Sequence, residues 1–175
     1  MESKLHDVPN RVFVLSVYSS ETAFIDLKDL LAALEQETIT QLFWGIGWLD
    51  WLGEVDAINF NNELDRSRVR RVIISGARLM ELSRQVWQTL EGVFVGYFSE
   101  VDATEFMHTN WSLTRFANSS AQVAIEAIDG SYFDVYLRSS AMMDHLAQVF
   151  KRVQRQDPAN FLERYDSSGD GTNPT

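Results

Sequence analysis

Cysteine is absent from all 175 residues, which excludes disulfides, thiolate nucleophiles and cysteine-ligated zinc or iron–sulfur centres. That fits a reducing compartment. No run approaches the roughly 18 consecutive apolar residues that a membrane-spanning helix needs. Met1 to Asn10 carries Glu2, Lys4 and Asp7 without an apolar stretch, so it does not read as a signal peptide. Basic residues are scattered or sit beside acids, which argues against a peripheral membrane helix. Lysine and arginine are also missing from the whole segment between Asp29 and Asp65, although that segment holds eight carboxylates. The expectation is a soluble cytoplasmic protein that neither crosses nor coats a membrane.

What is present is ordinary for a folded domain: 45% hydrophobic and 12% aromatic residues. A chain of this length can bury about 70% of its unfolded surface and needs no covalent staples. A single domain over 1–165 is expected, followed by a tail, Asp166 to Thr175, that has no apolar residue and is expected to be disordered. The formal net charge is −10. Such a chain repels nucleic acid and attracts basic proteins or cations, and the same charge also keeps it soluble.

Periodicity divides the chain into strands and helices. Arg11 to Val17 reads as a buried strand. Asp26 is placed to cap a helix whose stripe is Leu27, Leu30, Leu31 and Leu34, ending near Gln36. Leu42 to Leu52 fits a strand better than a helix because of Gly45 and Gly47, which signal a bulge or a close backbone approach. On that reading Leu42, Trp44, Ile46 and Trp48 share one face. A short strand is expected over Val55 to Phe60. Arg71 to Ser75 reads as a strand, and Ser75 or Gly76 opens a helix carrying Leu79, Leu82, Val86, Trp87 and Leu90 that stops at Gly92. Val93 to Phe98 returns as a strand, while Glu100 to Ser120 is expected to hold one strand and a long loop. Gln122 to Ile128 and Ser131 to Arg138, joined by Asp129-Gly130, form a strong hairpin signal. Ser139 or Ser140 caps a further helix facing inward through Met142 or Met143, Leu146, Val149, Phe150 and Val153, and another short helix is expected from Asp157-Pro158. The sum is an α+β domain, a mostly antiparallel or mixed sheet with about three helices packed on it.

Motifs for chemistry are sparse. Asp166, Ser168, Asp170 and Gly171 match half of a calcium loop, but the twelfth-position glutamate is missing. Gly45, Gly47 and Gly53 do not have dinucleotide-fingerprint spacing, and no Walker sequence exists. His6, His108 and His145 are isolated, and Glu105-x-x-His108 lacks the second copy that a di-iron site requires. No Gly-x-Ser-x-Gly elbow is present. No cofactor, metal or catalytic residue is therefore assigned, and the chain does not read as an enzyme. Arg66, Arg68, Arg70 and Arg71 would balance the acids just before them or contact phosphates; overall acidity argues against nucleic acid.

One feature does point outward. Trp44, Trp48 and Trp51 lie inside the acidic segment, and aromatic anchors ringed by charge are typical of a protein-binding surface. Trp48, Asp50, Trp51, Glu54 and Asp56 are the candidate partner-binding residues, with a buried aromatic strand and solvated rim as the competing account.

Two phrases, Gln88 to Tyr97 (QTLEGVFVGY) and Ala127 to Tyr136 (AIDGSYFDVY), the second leading into a capped helix, resemble a pattern in small acidic α+β bacterial proteins, some of which look like immunity proteins of toxin–immunity systems. The resemblance covers the stretch from Ile73 to Phe150, and rests on structural motifs. It implies a bacterial protein that binds a partner. The expected function is thus a non-enzymatic binding module, an immunity or inhibitor protein that occludes a basic toxin or effector. The alternative is a small-molecule sensing or regulatory domain with a pocket lined by Trp87, Tyr97, Phe106 and Trp111.

Overall fold

A computed structural model describes residues 11–159. Seven strands form one antiparallel sheet: β1 (Phe13–Tyr18), β2 (Phe43–Gly53), β3 (Arg71–Ser75), β4 (Val86–Tyr97), β5 (Val123–Ile128), β6 (Tyr132–Leu137) and β7 (Val153–Gln156). Their order across the sheet is β3-β2-β4-β5-β6-β1-β7. Among the described residues there are seven helices: α1 (Leu27–Ala33), α2 (Gln36–Gln41), α3 (Val55–Arg66), α4 (Gly76–Ser83), α5 (Glu100–His108), α6 (Leu113–Asn118) and α7 (Ser140–Val149). The α+β class with a mostly antiparallel sheet stands, and the helices outnumber the expected three.

The helices divide unequally over the two faces. On the first face α1, α2, α3, α4 and α7 bury Leu30, Leu31, Ile39, Ala57, Leu64, Leu79, Leu82 and Leu146 against Leu15, Trp44, Ile46, Phe94, Ile125 and Val135. On the second face α5 and α6 bury Phe106, Leu113 and Phe116 against Val14, Val93, Val95, Ala124 and Tyr136. Val93, Phe94 and Val95 therefore alternate between two cores, which is why β4 reads as a continuous apolar run.

Several expected elements are in place. Asp26 caps α1 in a reciprocal box with Asp29, Ser75 caps α4, and Ser139 caps α7, each satisfying amides that the helix leaves unpaired. The β5–β6 hairpin turns through Asp129 (φ 51°) and Gly130 (φ 60°), the positive-φ pair that Asp-Gly supplies.

Other expectations are corrected. Val55 to Phe60 belongs to α3, because Ala57, Phe60 and Leu64 recur at helical spacing and pack toward the first-face core. The first helix ends at Ala33 and α2 follows as a separate turn. α4 ends at Ser83, and Val86 to Leu90 is strand, since β2 pairs there: Gly53 with Val86, Leu52 with Gln88 and Trp51 with Thr89. Sheet hydrogen bonding outweighs the helical spacing of Val86 and Leu90, and Gly92 lies within β4 instead of ending a helix. Glu100 to Ser120 holds two helices and no named strand. Val153 starts the edge strand β7. Most of the segment on which a helix was expected from Asp157-Pro158, and the tail Asp166 to Thr175 with its partial calcium loop, lie outside the described residues.

The irregularity in β2 fixes what lies above it. Gly47 pairs with Val93 and Asp50 with Glu91, so β2 carries one residue more than β4 between these pairs. This bulge is where Trp48 takes φ 51°. Trp48 thereby leaves the face it was expected to share with Trp44 and Ile46 and joins the second face. Downstream, Leu49 and Trp51 fall on the first-face core. The glycines just before it serve close approach: a Cβ on Gly45 would stand 2.6 Å from the Phe106 ring, and one on Gly47 3.2 Å. Phe106 of α5 thus rests on bare backbone.

Candidate functional site

The five candidate residues do not stay together. Trp51 is 2% exposed, packs against Phe60 and Phe94, and donates its indole N–H to the Ala57 carbonyl at 2.8 Å. It is a core residue and cannot anchor a partner. Glu54 and Asp56 are exposed at the start of α3, where acidic side chains favour the helix dipole. Asp50 is exposed on the second face of the sheet, directly across from Glu91. Trp48 is half-buried on the same face.

Two contacts to its ring hold Trp48. The Arg71 guanidinium lies 4.5 Å from its ring centroid, and Phe106 meets it edge-on at 6.2 Å. Arg71 donates to the carbonyls of Phe106 and Met107, both at 3.3 Å, and to Asn110 Oδ1 at 3.2 Å. It therefore caps the carbonyl end of α5 while covering an indole, and burial lowers its pKa from the ordinary arginine value. Arg138 does the same for α6. Its guanidinium sits 4.7 Å from the Phe116 ring and donates to the carbonyls of Phe116, Ala117, Ser119 and Ala121. Of the arginine run, Arg70 pairs with Asp65 at 2.7 Å, and Arg66 and Arg68 are exposed.

Beside Trp48 the second face opens into a cleft of about 330 Å³. Trp48, Asn110 and Trp111 wall it, Val93 and Ala127 lie beneath, and Glu91, Glu126 and Asp129 bring three carboxylates. No lysine or arginine lines it. Glu126 is held from within: Tyr136 donates its hydroxyl to Oε2 at 2.8 Å and the Trp111 indole N–H approaches the same atom at 3.4 Å. Trp111 is itself packed edge-on against Tyr136 at 5.5 Å and Phe116 at 6.1 Å.

Next to the cleft, β2 and β4 continue into an exposed apolar strip. Between the pairs Leu52–Gln88 and Gly53–Val86, β4 has one additional residue, Trp87. Trp87 is 66% exposed. Leu52 across the strand and Val55 at the head of α3 are exposed too, and the Glu54 amide donates to the Gln85 carbonyl at 2.8 Å, which joins the two segments. Asp50 and Glu91 are paired close to this strip along β2 and β4, and Glu54 and Asp56 flank Val55 in sequence, all four exposed.

The aromatic pocket expected from Trp87, Tyr97, Phe106 and Trp111 does not form as a unit. Tyr97 and Phe106 are buried, the space they border under α5 and α6 is about 10 Å³, and Trp87 stands on the strip. Burial raises the Tyr97 pKa to about 12, with Glu105 and Asp102 adding to it. His108 and His145 are exposed on helices. Among the described residues no three histidine, aspartate or glutamate side chains converge as a metal site would require, and no helix is long and apolar enough to cross a membrane.

Glu91, Glu126 and Asp129 carry no signal in the sequence that marks them as site residues, whereas Trp87 and Trp111 were expected to line a pocket and only Trp111 borders the cleft. The Asp-Gly turn marks Asp129 as a hairpin tip, but only the β4–β5 pairing of Val93 with Glu126 brings these residues beside Trp48. Searches of family models, curated proteins and solved structures gave no match to this chain.

Proposed function

We propose that this protein is a non-enzymatic binding module that captures a basic protein partner, in the manner of an immunity or inhibitor protein, through the surface at the Asp50–Glu91 end of β2 and β4. One observation carries the reading. Asp50 and Glu91 are register partners on adjacent strands, both exposed, and among the described residues neither takes a salt bridge. Like charges directly opposite one another destabilise a sheet, and here they stand beside an exposed tryptophan and leucine. A cationic partner would neutralise the pair while Trp87 and Leu52 supply the apolar anchor that interfaces favour. The surrounding acids would raise the association rate in a salt-dependent way.

The reading is tested by opposite effects of one substitution. Asp50→Lys places a cation across from Glu91 and should raise stability by a few tenths of a kcal/mol to about 1 kcal/mol. It should also weaken capture of the partner, and the triple reversal of Asp50, Glu54 and Asp56 to lysine should weaken it further and flatten its salt dependence. The measurement is affinity capture from cells of the source organism, quantified by mass spectrometry against the wild-type bait and a Trp87→Ala bait. If all the baits retain the same proteins equally, the surface is not the binding site.

A further inference from the structure

We infer that the cleft between Trp48 and Trp111 receives the guanidinium group of an arginine side chain presented by a protein partner. This deepens the binding reading above and rests on it. The cleft volume, about 330 Å³, is at the small end of the roughly 300–1,000 Å³ range for ligand sites, suited to one long side chain. Its walls are two indoles, the rings that bind cations best, and its acids are Glu91, Glu126 and Asp129 with no basic residue among the lining. Glu126 is pre-oriented by Tyr136 and Trp111, so the carboxylate is already aimed before a ligand arrives. These acids are too dispersed to ligate one metal ion, and they match a planar cation that spreads its charge over several donors.

Two further facts favour a guanidinium. Trp48 already accepts one, from Arg71 at 4.5 Å, so its ring packs against this group elsewhere in the fold. Arg71 touches the lining residues Trp48 and Asn110 but is not itself part of the cleft lining. Trp48 is also a non-glycine residue at φ 51°, a strained conformation whose effect is to place an indole on this wall.

The experiment follows the indole N–H resonances of Trp48 and Trp111 by NMR while N-acetyl-arginine-N-methylamide is titrated into the intact protein at low salt. Both resonances should shift saturably, and the citrulline analogue, which keeps shape and loses charge, should bind about tenfold more weakly or less. Glu91→Gln with Asp129→Asn should weaken the arginine probe to a similar extent; both residues are exposed and asparagine keeps the positive-φ turn. Equal binding of the citrulline analogue, or an unchanged response in the double variant, would overturn the inference. Tighter binding of free L-arginine than of the blocked form would overturn the protein-borne source and point to a small-molecule site. Partner capture sensitive to Asp50→Lys and Trp87→Ala but insensitive to Asp129→Asn alone, which leaves the Asp50–Glu91 pair intact, would remove the cleft while leaving the binding surface standing.

Discussion

Arg71 covers Trp48 with its guanidinium 4.5 Å from the ring centroid and, with the same group, ties down the last carbonyls of α5. One side chain from β3 therefore fixes both the cleft wall and the helix that flanks it. Arg71→Met keeps most of the apolar stem and removes the donors, leaving two helix-terminal carbonyls and the Asn110 amide oxygen without this partner. A loss of about 1–3 kcal/mol is expected, read by urea denaturation, together with a change in the Trp48 indole resonance. Arg71→Lys should recover only part of this, since an ammonium lacks the planar fork.

Asp26 is the buried counterpart of that fastening. Its carboxylate accepts from the Leu27 amide at 2.5 Å, the Thr89 hydroxyl at 2.6 Å and the Thr89 amide at 3.0 Å, so the cap of α1 is also a clamp on β4. Asp26→Ala should destabilise by about 2–4 kcal/mol, more than an isolated cap, because it orphans a buried strand amide as well. Thr89→Val should cost less, and the double variant should cost less than the sum, which a double-mutant cycle in urea would register.

How much of this was legible before the fold? The Asp129-Gly130 hairpin, the strand Arg71–Ser75 and the caps Asp26, Ser75 and Ser139 were, because each depends on neighbours in sequence. The acid-rich, base-free segment was legible for the same reason. The rest depends on partners far along the chain. Val86 to Leu90 carries a helical stripe, yet pairing with β2 makes it strand. α5 and α6 are too short to show periodicity, and Phe106 finds its seat only because Gly45 and Gly47 lie beneath it. Trp51 was placed on the surface and Trp48 in line with Trp44 because the position of the bulge is set by pairing with β4, even though the two glycines announced that a bulge was near.

Gly45 gives the sharpest packing test. Gly45→Ala puts a methyl 2.6 Å from the Phe106 ring, and a loss of about 1–3 kcal/mol is expected from the forced shift of α5. Phe106→Leu in the same chain should recover part of it by making room. Thermal denaturation of the two single variants and the double variant checks this, and additive losses would mean that Phe106 does not press on Gly45.

Tyr97 should make stability fall at high pH. Its pKa in the fold is raised by burial to about 12 from the ordinary tyrosine value of 10.0. Above pH 10 the unfolded chain loses this proton and the folded one keeps it, so the unfolded state is favoured progressively until about pH 12. Two units correspond to about 2–3 kcal/mol. In Tyr97→Phe that share of the decline should vanish, seen as a shallower slope of stability against pH between 10 and 12 than in the wild type.

The extra residue at Trp48 and Leu49 acts as a change of reading frame for β2. Upstream, the even-numbered residues Trp44 and Ile46 face the five-helix layer; downstream, the odd-numbered residues Leu49 and Trp51 do. Deleting Trp48 or Leu49 would restore one frame throughout. Trp51 would then turn to solvent, Asp50 and Leu52 would turn inward, and the acidic surface would be lost without any acid having been removed. The sign of this surface is written in composition, but its existence hangs on a count of one residue, so chain length in β2 should constrain the protein more tightly than the identity of any single carboxylate.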